Sequence, residues 1–281
     1  MSISRCAQIL QNGDPDKFFA TLIAPKKLRP ILYTVFAFHY EISKIPYSTD
    51  EEILAEIKFK WWEQELTHIS KRKFTKNRNE ILDPLSDLII KNDIPVDLFL
   101  EAINARRFDI GSQIHRSFYD QVNYIEDIFS SLLEIILRSC EKHLSPEAVL
   151  CVRKFGFVLG VANLLVALPA LEILGKNPIF LNFNEKDTRL KSKNGQLLSE
   201  KRFAERVLKL VEAAESELIE ARKYLRFVDK KVRPILLCCA SGPIILKKAR
   251  RDPRRVQRDA IKLSPLYKII NLFRARIRNK I

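Results

Sequence analysis

Residues 14–66 read DPDKFFATLIAPKKLRPILYTVFAFHYEISKIPYSTDEEILAEIKFKWWEQEL. Asp14 before Pro15 is a helix start, because an Asp side chain accepts from the orphan amides of a first turn and proline is tolerated at its first position. Pro30 opens a second helical stretch. In residues 30–43, Ile31, Val35, Phe38 and Ile42 recur at steps of four, three and four, one stripe of an α-helix. Near Pro46 the chain turns, and residues 50–69 repeat the pattern with Ile53, Leu54, Ile57 and Trp61 on an apolar face. The segment therefore predicts two amphipathic helices joined at Pro46.

The same periodicity runs outward through the chain. Helices are expected over residues 2–11, 83–91, 96–108, 119–143, 146–174, 199–227, 234–246, 253–261 and 264–278. Ser145 and Pro146 stand as cap and first residue of the most apolar of these, whose run over residues 155–174 is interrupted by Gly156, Gly160, Asn163, Pro169 and Glu172. It reads as a buried helix, and a spanning helix is not expected, since about 18 uninterrupted apolar residues are lacking. Residues 175–198 collect turn formers and predict a loop or flap. No strand–helix alternation, internal repeat or long linker appears, so residues 1–281 are read as one all-α domain.

Composition narrows the function classes. The chain carries 49 Lys/Arg against 34 Asp/Glu, a net charge of +15, but residues 247–280 hold 13 of the basic residues against only Asp252 and Asp259. That segment supplies +11, so the basic character belongs to a C-terminal segment, residues 247–281, and not to the whole fold. Within it Leu266, Ile269, Ile270, Phe273 and Ile277 form an apolar stripe flanked by Lys268, Arg274, Arg276 and Arg278. Such a helix suits an anionic membrane surface through residues 264–278, or packs its stripe on the protein's own core. Nucleic acid would answer to the charge of residues 247–258, but no aromatic residues are interleaved for base stacking and no recognised motif is present, which argues against it. Five cysteines without C-x-x-C spacing read as buried free thiols, and four scattered histidines give no metal spacing. The N-terminal residues lack a secretory or transit pattern, so the expected location is cytoplasmic, peripheral to a membrane where the tail engages one.

The order of features in residues 14–66, a D-P-D-K start, A-P before a basic cluster, Y-x-x-F-A-F and a tandem Trp, resembles the N-terminal signature of the squalene and phytoene synthase family. Further matches are Arg106-Arg107-Phe108-Asp109, Tyr124, the stretch of residues 155–165 with Asn163, residues 175–181, which are similar to the family's G-x-x-x-x-L-P but have Asn182 where proline is usual, and residues 263–267. The resemblance covers nearly the whole chain. It implies an isoprenoid (terpenoid) synthase-like helical bundle around a central apolar cavity. In active members it also implies Mg²⁺ held by two carboxylate clusters on facing helices, with head-to-head joining of prenyl diphosphates.

Aligned through Phe36-Ala37-Phe38, the first carboxylate cluster falls on Ser43, Lys44 and Tyr47; aligned through Asn163, the second falls near Ala167 and Leu171. None is an acid. The resemblance is nearest to a branch without the aspartate motifs, whose mitochondrial members are respiratory complex I assembly factors. The expectation is therefore a degenerate synthase fold that binds an isoprenoid or other lipid, or a respiratory complex assembly partner. No catalytic residue, metal ligand or cofactor is assigned. The alternative is an active prenyltransferase, requiring Mg²⁺, that uses displaced acids such as Glu41, residues 50–52 or Glu172. Candidates for the cavity or its mouth are Arg29, Phe36, Phe38, His39, Glu41, Trp61, Arg106, Asp109, Tyr124 and Asn163. Several also have plainer roles. Glu41 pairs with Arg29 or Lys44, His39 packs near a helix end, and Arg106 with Asp109 forms an ion pair. Adjacent Trp61 and Trp62 point about 100° apart, one to the core and one to an edge.

Overall fold

The computed structural model describes all residues except 1–3, 74–78, 112, 177–178, 181–199, 259–260 and 279–281. Most of the expected loop or flap at 175–198 lies outside the described residues. The described residues are helical and contain no strand. In chain order the helices are α1 (Arg5–Gly13), α2 (Pro15–Ile23), α3 (Arg29–Lys44), α4 (Glu52–Ser70), α5 (Leu82–Asn92), α6 (Asp97–Arg107), α7 (Phe118–Ile125), α8 (Ser131–Cys140), α9 (Pro146–Ile173), α10 (Glu200–Tyr224), α11 (Gly242–Arg251), α12 (Arg255–Arg258) and α13 (Pro265–Arg278). Short 3₁₀ segments follow α3, follow α10 and precede α11.

The starts follow the sequence logic. Asp14 accepts from the Lys17 amide at 3.1 Å and Ser145 from the Ala148 amide at 3.1 Å, each before a proline at the first helical position. Ser117 caps α7 by accepting from Asp120 N–H at 3.1 Å.

Helix α9 is the axis. It packs against α8, α10 and α11 and carries a continuous buried run that includes Val152, Phe155, Val158, Val161 and Leu165. By length and composition it could cross a bilayer, yet half of its most apolar window is buried inside the bundle. Its glycines set the spacing. A Cβ at Gly156 would lie 2.5 Å from the Phe129 carbonyl oxygen and the Ser130 Cα, and one at Gly160 would lie 2.5 Å from the Ile125 side chain. Only glycine permits so close a crossing.

The expected continuous helix over 119–143 is interrupted. α7 and α8 are joined by one π turn, Glu126–Ser130, and α8 ends at Cys140. Its buried stripe of Ile125, Ile128, Phe129, Leu132, Leu133 and Ile136 agrees with the sequence pattern. The expected helix over 234–246 is a 3₁₀ segment, Arg233–Cys239, and then α11, while the one over 253–261 shortens to Arg255–Arg258. In α4 the expected face is wrong. Ile53, Leu54, Ile57 and Trp61 are exposed, and the helix buries Ala55, Phe59, Trp62, Leu66 and Ile69. Arg107 fixes that orientation from α6, with both terminal nitrogens on Glu63 at 2.6 and 2.8 Å and Nε on Glu56 at 3.0 Å.

Candidate ligand cavity

Where the end of α3 meets the last turns of α9, the bundle opens into a cavity of about 360 Å³. Ser43, Lys44 and Tyr47 line it from α3 and the following 3₁₀ turn; Gly160, Asn163, Leu164, Ala167 and Leu171 line it from α9. The opposite wall is Arg106 in the last turn of α6, Phe108 and Asp109 just after it, His115 before α7, Tyr124 and Ile125 on α7, Phe129 in the π turn, and Lys176 beyond α9. The five positions reached by aligning the two carboxylate clusters, 43, 44, 47, 167 and 171, thus come together around one space.

Its polar centre is a buried triad. Arg106 Nη1 donates to Asp109 Oδ2 at 2.9 Å and to the Tyr124 hydroxyl at 2.9 Å, while the Tyr124 hydroxyl donates to the Asp109 carboxylate at 2.9 Å. Burial opposes the Arg106 charge, but Tyr124 and Asp109 outweigh it and hold the guanidinium pKa above its ordinary value. Burial, with the Asp109 charge in support and Arg106 opposing, pushes the Tyr124 phenol well up. Tyr47 is pushed up to about 12, chiefly by burial and then by Asp109. Arg106 Nε is buried and has no hydrogen-bond partner. His115 stacks on Phe108 with ring centroids 4.2 Å apart, and burial lowers its pKa to about 4, so it is neutral at pH 7.

Charge at this cavity is mostly positive. Lys44 reaches Glu41 at 2.7 Å on its outer side. Lys176 donates to the Gly111 carbonyl and to the Asp109 carbonyl, the latter at 3.2 Å. Among the described residues Asp109 is the one carboxylate in the lining, and Arg106 and Tyr124 already occupy it. Glu52 stands at the rim, where a Cβ at Gly111 would come within 2.6 Å of its Oε1. Magnesium takes hard oxygen ligands, usually carboxylates together with substrate phosphates. One engaged carboxylate beside two lysines and an arginine does not fit the magnesium clusters that the family resemblance implies. No group of three or more His, Cys, Asp or Glu side chains among the described residues is placed to hold a metal.

Of the residues singled out in the sequence, Arg106, Asp109, Tyr124 and Asn163 line this cavity. The others serve elsewhere. Phe36 and Phe38 are core residues, Phe38 packing edge-on against Trp62 and Phe99 at 5.1 and 5.3 Å. His39 is buried one layer behind, 5.2 Å from the Phe129 ring, with Nε2 unpartnered and its pKa driven well below the usual value by burial and then by Lys17 and Arg106. Arg29 donates from Nε to the Ala24 carbonyl at 2.9 Å at the end of α2. Glu41 and Trp61 border an outer groove with Lys44, while Trp62 enters the core. Sequence reasoning missed His115, Lys176 and Phe108 as lining residues. Phe108 lay inside the quoted motif, whereas His115 and Lys176 carried no spacing signal.

A second cavity, of about 420 Å³, lies across α9 and shares Asn163. Leu159, Ala162 and Val166 of α9, Phe19 of α2, Ile245 of α11, and Ile269 and Leu272 of α13 give it apolar surface, and Asp14, Asp16, Lys17, Lys262 and Lys268 add charge.

The model of the squalene/phytoene synthase family matches residues 10–267. Among solved structures, a dehydrosqualene synthase in complex with ligand superposes with a TM-score of 0.74 at 15% identity, covering 98% of this chain and 95% of that one. The squalene synthase HpnC from Alicyclobacillus acidocaldarius superposes with a TM-score of 0.69 at 19% identity, covering 88% and 92%. At these identities the likeness is one of fold. No curated protein sequence matches the chain. With the family model spanning nearly its whole length, the chain belongs to the squalene/phytoene synthase family.

Proposed function

We propose that this chain binds an anionic-headed isoprenoid or related lipid without a magnesium cluster and without condensing it. One observation carries the reading. The positions corresponding to the family's carboxylates gather around one cavity as Ser43, Lys44, Tyr47, Ala167 and Leu171, and Lys44, Arg106 and Lys176 outnumber Asp109, the one carboxylate among its described lining residues. Ammonium and guanidinium groups neutralise a phosphate or diphosphate directly, a task that divalent ions perform where carboxylates predominate. Neutral His115, Phe108, Phe129, Ile125 and Leu164 supply the surface for the first apolar atoms beyond such a head. A dehydrosqualene synthase of the same fold is solved in complex with a ligand, which supports a ligand-binding role for this fold.

The test is calorimetric titration of farnesyl diphosphate and farnesyl monophosphate into the protein, in EDTA and in Mg²⁺, together with product analysis on labelled prenyl diphosphates. Binding in EDTA, little changed by Mg²⁺ and weakened about tenfold or more by Lys44→Glu, with no coupled product, is the expected result. Magnesium-dependent turnover to a head-to-head product would overturn the reading. It would turn attention to acids such as Glu52 at the rim.

A further inference from the structure

Helix α13 has two apolar faces. On one, Ile269 and Leu272 wall the second cavity, Asn271 Nδ2 donates to the Ala240 carbonyl at 2.8 Å, and Lys268 pairs with Asp16 of α2 at 2.6 Å. On the opposite side Leu266, Ile270, Phe273 and Ile277 recur at steps of four, three and four, which places them in one line along the helix. These four are 69%, 39%, 52% and 81% exposed. The alternative that the sequence left open, a stripe packed on the protein's own core, holds for one member of that stripe, Ile269, which turns inward beside Leu272.

A surface helix normally turns charge to water on the face away from the core. Here that face is apolar, and the charges flank it. At about 100° per residue, Arg274 and Arg278 fall on one flank and Arg276 on the other. All three are exposed, as are Arg250 and Arg251 at the end of α11. The surrounding segment, residues 247–280, carries +11 of the chain's +15. A lone polyanion would need the arginines and leave the stripe in water. A neutral apolar partner would need the stripe and leave the arginines unused. A surface that is apolar in depth and anionic at its boundary uses both, and an anionic bilayer has that profile.

We infer that α13 lies flat on an anionic membrane, with Leu266, Ile270, Phe273 and Ile277 immersed and Arg274, Arg276 and Arg278 at headgroup level. Its inner face remains part of the wall of the second cavity, so docking sets that cavity about one helix diameter, roughly 10 Å, from the bilayer. This inference does not depend on what the first cavity binds.

Co-sedimentation of the full chain with vesicles tests it. The protein should pellet with phosphatidylcholine vesicles containing phosphatidylglycerol, remain in solution with phosphatidylcholine alone, and be released by salt. Phe273→Glu with Ile277→Glu, two exposed positions whose change leaves the core intact by circular dichroism, should reduce the bound fraction at least tenfold. Arg274→Ala should reduce affinity about fivefold. Absence of partition onto anionic vesicles overturns the inference. So does partition that the double glutamate variant leaves unchanged, since charge alone would then account for it; a DNA duplex that competes equally in that variant would mark the face as a polyanion site instead.

Discussion

The two cavities on either side of α9 differ in kind, although Asn163 belongs to both. One is closed by buried charge: Arg106, Asp109 and Tyr124 bind one another, and Lys44 and Lys176 stand beside them. The other combines apolar side chains of α2, α9, α11 and α13 with Lys262 and with the ion pairs of Asp14 with Lys17 and of Asp16 with Lys268. The first cavity holds every position reached by aligning the family's acids. The second has a wall whose far side is an exposed apolar stripe. A single helix, α9, thus separates a cavity organised by the Arg106–Asp109–Tyr124 triad from one in which apolar side chains stand beside the ion pairs of Asp14 with Lys17 and Asp16 with Lys268.

The comparison can be broken most sharply at Asp109. Asp109→Ala leaves a largely buried guanidinium, its side chain 11% exposed, without its counter-charge, and about 3 kcal/mol of stability should be lost, the low end for breaking a buried pair. Urea unfolding measures this, and Asp109→Asn should recover part of it by keeping an acceptor for Tyr124. If Asp109→Ala is silent, the triad does not organise the first cavity.

Acid should also act on the first cavity. His115 has its folded pKa lowered to about 4 by burial, and His39, behind Phe129, is lowered well below its usual value for the same reason. The unfolded chain takes up these protons near pH 6.5, before the native protein does, so stability falls as pH drops below about 6.5. For His115 the loss is complete near its folded value and amounts to about 3 kcal/mol. Unfolding free energies between pH 4 and 8 should show that slope, flattened in His115→Gln.

The apolar side should respond least. Leu272 lines the second cavity and is 6% exposed, so Leu272→Ala removes contacts on one side only and should cost about 2 kcal/mol, the low end for buried leucine. Combined with Asp109→Ala, the two losses should add within about 0.5 kcal/mol if α9 separates the cavities energetically. A larger coupling, read from the same double-mutant cycle, would show that they act as one.

Much of this was legible in the sequence, and the misses have physical reasons. Caps such as Asp14 and Ser145 and the stripe of α3 are local signals, and they fix elements well. α4 misled because apolar residues lie on both of its faces. Ile53, Ile57 and Trp61 are as periodic as Phe59, Trp62, Leu66 and Ile69, and tertiary neighbours decide which side turns inward: α5, Phe38 of α3 against Trp62, and the Arg107 clamp from α6. The α13 stripe divided for a related reason. Ile269 and Ile270 are neighbours in sequence, and one enters a cavity while the other faces outward. In the candidate site, Arg106, Asp109, Tyr124 and Asn163 were found because short motifs carry them. His115 and Lys176 come from segments with no periodicity, and their roles arise from stacking on Phe108 and from reaching the carbonyls of Asp109 and Gly111.

The π turn at Glu126–Ser130 gears this arrangement. It inserts one residue into an otherwise α-helical path, so everything before it is rotated by about 100° relative to everything after it. That offset lets Tyr124 meet Arg106 while Phe129, past the start of the turn, faces the same cavity and the α8 stripe still points into the core. A single-residue deletion within 126–130 would restore ordinary helix and swing Tyr124 away from its partners, with no substitution among them. The register of this helix is as much a part of the cavity as the side chains that line it.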